Sequence, residues 1–82
     1  MSHIEVYSSD HCPWCSRAKI LLQAKGLDYE EINIYAGEAR ALEMIERSDR
    51  RTVPQIFIDD EPIGGYQQLA VMNQAGKLDQ VA

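Results

Sequence analysis

No apolar run in this sequence approaches the ~20 residues that a helix needs to cross a bilayer, so a membrane span is not expected. Its start also lacks a basic segment followed by a long apolar stretch, which argues against export. Positive charge is scarce: 8 Lys and Arg stand against 13 Asp and Glu, for a formal net charge of −5. A nucleic-acid partner would need a basic face to neutralise phosphates, and this balance excludes one as a general partner. Internal repeats, linkers and low-complexity tracts are missing as well. The 82 residues leave room for one core, burying roughly two-thirds of the surface that the unfolded chain exposes. A single domain over residues 1–82, monomeric and cytoplasmic, is the expectation.

Cysteine is equally sparse, with only Cys12 and Cys15, separated by Pro13 and Trp14. A bridge between them would close a very small loop and restrict the unfolded chain little, so it makes a poor structural staple. A zinc site would want four ligands, and only His3 and His11 could complete one. Haem attachment needs His directly after the second cysteine, where Ser16 stands. Two inert core cysteines would also fit the count, although Pro-Trp between them at a helix start speaks against it. Redox chemistry fits best, because C-x-x-C beside a β-α-β pattern is a strong signal for it. No bound metal or cofactor is expected.

That pattern is read as follows. His3 to Tyr7 alternates Ile4 and Val6 with polar neighbours, as a strand does. Pro13 suits the first turn of a helix, Trp14, Ala18, Leu21 and Leu22 continue it, and Gly26 stops it. Tyr29 to Tyr35 reads as a second strand. Gly37 to Ser48 reads as a helix with Ala41, Leu42 and Ile45 inward and Glu43 paired with Arg47 on the wet side. Gln55–Ile58 and Glu61–Ile63 are strands joined by an Asp59-Asp60 turn, and a last helix runs from about Tyr66 to Ala75. The order β-α-β-α-β-β-α predicts an α/β fold with a four-stranded mixed sheet flanked by three helices.

Cys12 falls just before the first helical turn, where backbone N–H groups lack partners and the dipole favours an anion. A cysteine so placed has a pKa of roughly 3.5–7.5 instead of ~8.5, and the thiolate is the form that attacks a disulfide. Cys15, one turn later, is placed to resolve a mixed disulfide formed on Cys12. His11 is read as a solvated loop residue, with a second reading as a positive neighbour of the thiolate. Trp14 is read as a lid and partner contact, with packing as the alternative.

Taken together, Cys12-Pro13-Trp14-Cys15, Thr52-Val53-Pro54 and Gly64-Gly65-Tyr66 make the whole chain resemble a glutaredoxin, of the small bacterial dithiol type within the thioredoxin-like superfamily. The resemblance implies a thioredoxin-like fold and a glutathione-dependent oxidoreductase acting on disulfide-containing or glutathionylated client proteins. It further implies catalytic Cys12 and Cys15, a cis Pro54, and Val53 pairing with the cysteinyl part of glutathione. The γ-glutamyl carboxylate is implied to sit at the last helix, near Gly65, Tyr66 and Gln67. Trp14, Thr52 and Gln68 complete the implied site. For the glycyl carboxylate the candidates are Arg40, Arg47, Arg50 and Arg51, of which Arg51 is favoured. Two departures stand out: Ser8-Ser9-Asp10 occupies a loop where many relatives carry lysine, and Gln67-Gln68 replaces an acidic residue that holds the glutathione ammonium. The rival readings are a thioredoxin-like electron donor reduced by a flavoprotein, and a [2Fe–2S] carrier, which Pro13 disfavours.

Overall fold

The computed structural model describes residues 3–81; Met1, Ser2 and Ala82, part of the expected 1–82 domain, lie outside them. Strand β1 (Ile4–Ser8) leads into helix α1 (Pro13–Ala24), strand β2 (Glu30–Asn33), helix α2 (Glu38–Ser48), strands β3 (Gln55–Ile58) and β4 (Glu61–Gly64), and helix α3 (Tyr66–Gln74). The sheet order is β2-β1-β3-β4. β1 and β2 run parallel, whereas β3 is antiparallel to both β1 and β4. The expected architecture and element order are therefore present.

Period-two alternation gives the sheet two apolar faces. Ile4, Val6, Ile56 and Ile58 pack with Ala18 and Leu22 of α1 and Leu69 of α3. On the other face, Tyr7, Ile32 and Phe57 meet Met44 of α2. Three layers result, with β1 central and buried on both sides. α1 ends as expected at Gly26, whose φ of +70° is left-handed, and the Leu27 N–H reaches back to the Leu22 carbonyl. Asp59 and Asp60 both adopt positive φ, which suits a two-residue hairpin turn.

Local expectations fail at three places, each for a reason that the folded chain shows. The second strand stops at Asn33 instead of reaching Tyr35, because the Asn33 side chain accepts the Tyr35 N–H at 2.8 Å and turns Ile34–Ala36 into a 3-10 segment. Another 3-10 segment, Lys77–Gln80, follows α3 and buries Leu78. On α2, Leu42 is 58% exposed and Met44 takes the buried position, so the inward stripe is rotated from the one expected.

Glu43 and Arg47 do not pair with each other. The Arg47 guanidinium forks onto Glu5 at 2.9 and 3.1 Å, donates to the Tyr7 hydroxyl at 2.8 Å, and lies 4.0 Å over the Phe57 ring. Tyr7 donates onward to Glu43 at 2.8 Å. These contacts pin α2 to β1 and β3. Glu5 raises the already high Arg47 pKa, and burial raises that of Tyr7. Arg47→Met should lower stability by about 2 kcal/mol, between the ~0–1 of exposed ion pairs and the ~3–5 of buried ones. Urea unfolding measures it; a loss below about 0.5 kcal/mol would mean that water screens the whole cluster.

Candidate active site

The loop after β1 delivers Cys12 to the N-cap of α1 in an extended conformation, φ −109° and ψ 104°. Pro13, with no N–H to satisfy, begins the helix. The Ser16 N–H bonds the Cys12 carbonyl at 3.1 Å, and the Cys15 N–H points at Cys12 Sγ at 3.2 Å. The helix thus uses a sulfur where a serine or aspartate oxygen usually caps. Cys12 and Cys15 form a disulfide, their Cα atoms 5.2 Å apart. Cys15 is 1% exposed, while Cys12 is partly open to solvent.

Across from the pair, the Val53–Pro54 peptide bond is cis, and the Val53 carbonyl oxygen lies 3.9 Å from Cys12 Sγ. Pro54 is buried and Thr52 exposed. Gln55, which sequence reasoning passed over as an ordinary strand residue, is buried and donates to both the carbonyl and hydroxyl oxygens of Thr52, at 2.9 and 3.2 Å. Its signal in the sequence is a lone amide directly after the proline, at the head of an apolar strand.

Beyond Val53 and Pro54 opens a groove of about 250 Å³, walled by Trp14 and Tyr66 and completed by Arg50, Gln67 and Gln68. Trp14, 49% exposed, stacks 5.8 Å from Tyr66 and carries Arg17 at 4.8 Å on its ring. Gly64 has φ +118°, and a Cβ there would stand 2.9 Å from Gln68 Cγ. A Cβ on Gly65 would meet the Pro54 carbonyl at 3.4 Å. Gly64 therefore supplies a left-handed backbone and leaves room for the Gln68 side chain, while Gly65 places the start of α3 beside the Pro54 carbonyl.

The structure brings Trp14, Val53, Pro54, Tyr66, Gln67 and Gln68 together around this groove, with Gly65 behind them at the head of α3. The arginine that lines it is Arg50; Arg51 is exposed and is not part of the wall. Arg40 pairs with Glu43 and Arg47 with Glu5. A second cavity, of about 410 Å³, borders Cys12 on another side and is lined by Ser9, Asp10, His11, Ser16, Lys19 and Glu31. His11 is exposed with φ +58°. His3 belongs to the other end of β1, where it, Glu5 and Glu30 bring ligand atoms within 4.8 Å of one another; both Glu5 oxygens are already held by Arg47. A partly exposed sulfur capping a helix, with a buried sulfur bonded to it and a backbone carbonyl opposite, is an arrangement for thiol–disulfide exchange.

Residues 4–63 match the family model described as Glutaredoxin. The chain is 47% identical over 79 residues to Glutaredoxin 3 of Escherichia coli K12, covering 96% of this chain and 95% of that protein. Among solved structures, the solution structure of glutaredoxin from Brucella melitensis superposes with a TM-score of 0.82 at 42% identity, covering 95% of this chain and 85% of that one. A crystal structure of a buckwheat glutaredoxin–glutathione complex superposes with a TM-score of 0.86 at 30% identity, covering 95% and 74%.

Near Cys12, Lys19 and the buried Ser8 hydroxyl both bond Glu31 at 2.8 Å and hold its carboxyl below the ordinary glutamate range. The folded state therefore binds this proton less readily than the unfolded one. Its stabilising contribution is full above about pH 4.3 and is lost as pH falls through the lowered value. Glu31→Gln should cost more stability at pH 7 than at pH 3 in urea unfolding. A penalty equal at both would show that the ion pair is not its source.

Proposed function

The chain belongs to the glutaredoxin family, and on that premise we propose how it works as a glutathione-dependent thiol–disulfide oxidoreductase. The observation that carries the reading is the Cys12–Cys15 pair at the open end of α1, with the Val53 carbonyl 3.9 Å from Cys12 Sγ. Once the pair is reduced, the first-turn N–H groups and the dipole of α1 stabilise Cys12 as a thiolate.

The Cys12 thiolate attacks the glutathione sulfur of a glutathionylated client. A Cys12–glutathione disulfide forms, and the client sulfur leaves as a thiolate and takes up a proton. A second glutathione thiolate then attacks the glutathione sulfur on Cys12, releasing glutathione disulfide and restoring the Cys12 thiolate. With a client disulfide, Cys12 first bonds one client sulfur and releases the other. Cys15, deprotonated, then attacks Cys12, expels the client thiol and closes the Cys12–Cys15 disulfide. Two glutathione molecules supply the two electrons that reopen it.

The groove beside Trp14 supports the placement of glutathione. Its cysteinyl main chain pairs with the Val53 backbone as an added strand would. Its γ-glutamyl carboxylate meets the N-terminus of α3 beside Gly65, where the first-turn N–H groups of Tyr66 and Gln67 favour an anion. Arg50 takes the glycyl carboxylate, since it lines the groove and Arg51 does not. Thr52, held by Gln55, keeps the Val53 backbone in place. Residues 1–82 act as one domain and as a monomer, in the reducing cytoplasm, on soluble client proteins. Among the described residues no helix is long and apolar enough to cross a membrane.

Two single substitutions test the division of labour. Cys12→Ser should reduce turnover of both client disulfides and glutathionylated clients to the uncatalysed rate. Cys15→Ser should retain most deglutathionylation while losing disulfide reduction. Equal loss of both activities in Cys15→Ser would refute the separate roles.

A further inference from the structure

The 8 Lys and Arg of this chain face 13 Asp and Glu, so carboxylate partners are not scarce. Away from the groove the cations have taken them. Lys19 pairs with Glu31, Lys25 with Asp79, Arg40 with Glu43 and Arg47 with Glu5. Arg17, Arg50 and Arg51 make no ion pair among the described residues, and all three gather on the Trp14 side of the cysteine pair. Arg17 is exposed, with its guanidinium 4.8 Å from the centre of the Trp14 ring that walls the groove. Arg50 lines the groove, and no carboxylate does. Arg51 is exposed two residues before Val53, whose carbonyl lies 3.9 Å from Cys12 Sγ. The remaining unpaired cation, Lys77, lies beyond the far end of α3.

Like charges repel, so neighbouring arginines without a counter-charge gain nothing for the fold. On a protein of net charge −5 they make a local positive field beside the reacting sulfurs. The glycyl carboxylate of glutathione occupies Arg50 alone, which leaves Arg17 and Arg51 without a role. When Cys12 opens a client disulfide, however, the client's own chain takes the groove and pairs with the Val53 backbone as an added strand. Its flanking residues then run between Trp14, which carries Arg17, and the Arg50-Arg51 loop.

We propose that the disulfides this protein reduces lie in acidic segments of its clients, and that Arg17 and Arg51 select those segments. The proposal rests on the oxidoreductase reading above and adds the kind of partner. The occupant is a polypeptide because it must bring a disulfide, and acidic because that sign complements the arginines. Exposed charges of this kind act chiefly on encounter, so they raise association rates most at low salt.

The test uses the reduced protein and peptides closed by one disulfide, identical except that Glu, Gln or Lys flanks both cysteines. The peptide disulfide becomes two thiols as Cys12 and Cys15 become a disulfide, and the second-order rate constant of this exchange is measured. Dividing by the same peptide's rate with dithiothreitol removes differences in intrinsic disulfide reactivity. At low salt the Glu peptide should outpace the Lys peptide by about tenfold. In ~1 M salt, where charges are screened beyond about 3 Å, most of that difference should vanish. Arg17→Gln and Arg51→Gln should each cut the ratio by about threefold, and Arg17→Lys and Arg51→Lys should keep it. Lys77→Gln shifts the net charge equally and should leave the ratio unchanged. A wild-type Lys peptide as fast as the Glu peptide would overturn the assignment. So would a ratio that falls as far in Lys77→Gln as in the two arginine variants. The wild-type comparison decides alone should a variant fail to fold. If no peptide reacts faster with the protein than with dithiothreitol, the oxidoreductase reading falls, and this one with it.

Discussion

A helix that begins abruptly leaves N–H groups in search of an acceptor, and in this protein the acceptor is a sulfur atom. Cys12 occupies the N-cap position of α1 and receives the Cys15 N–H at 3.2 Å. The demand is structural, because an orphaned donor at a helix start must be met by something. Meeting it with sulfur makes the same donors available to a negative charge on that atom. The chemistry and the helix start are therefore one feature. Pro13 sharpens it by starting the helix without adding a further donor.

The remainder of the fold holds that end of α1 against two other chain segments. β1 carries Cys12 out of the sheet, β3 begins just after Pro54, and α3 begins beside the Pro54 carbonyl. β1 and β3 are hydrogen-bonded neighbours, so the cysteine loop and the proline loop leave the sheet side by side. The Arg47 cluster sits behind them on the opposite face. It ties α2 to Glu5 and Tyr7 of β1 and to Phe57 of β3. Arg50, the cation of the groove, follows the end of α2 by two residues.

Much of this was legible from local pattern. The strand-helix-strand order, the stop at Gly26, the Asp59-Asp60 turn and the Cys12 cap follow from residue types that act on their immediate neighbours. What stayed hidden depends on how the folded backbone places side chains, near or far along the chain. Arg47 reaches across 42 positions to Glu5 instead of four to Glu43. Of the four arginines the sequence reading favours Arg51, but Arg50 is the one that lines the groove, because the path of the loop between α2 and β3 decides which of two adjacent side chains faces it. Gln55 reads as an unremarkable amide, since only the folded loop places the Thr52 oxygens where its side chain can reach them. The inward stripe of α2 was misjudged because Met44 and Leu42 are both apolar and only packing chooses between them.

The two cavities beside the cysteine pair share no lining residue. One is aromatic and amide-rich, bounded by Trp14, Tyr66 and Gln68; the other is polar, bounded by Asp10, His11 and Lys19. Sequence drift in either wall leaves the opposite wall intact. A substitution at Asp10, His11 or Lys19 therefore reshapes the polar approach to the cysteine pair without touching the lining of the aromatic one, and a change at Tyr66 or Gln68 does the reverse. The two approaches to the Cys12–Cys15 pair can vary independently.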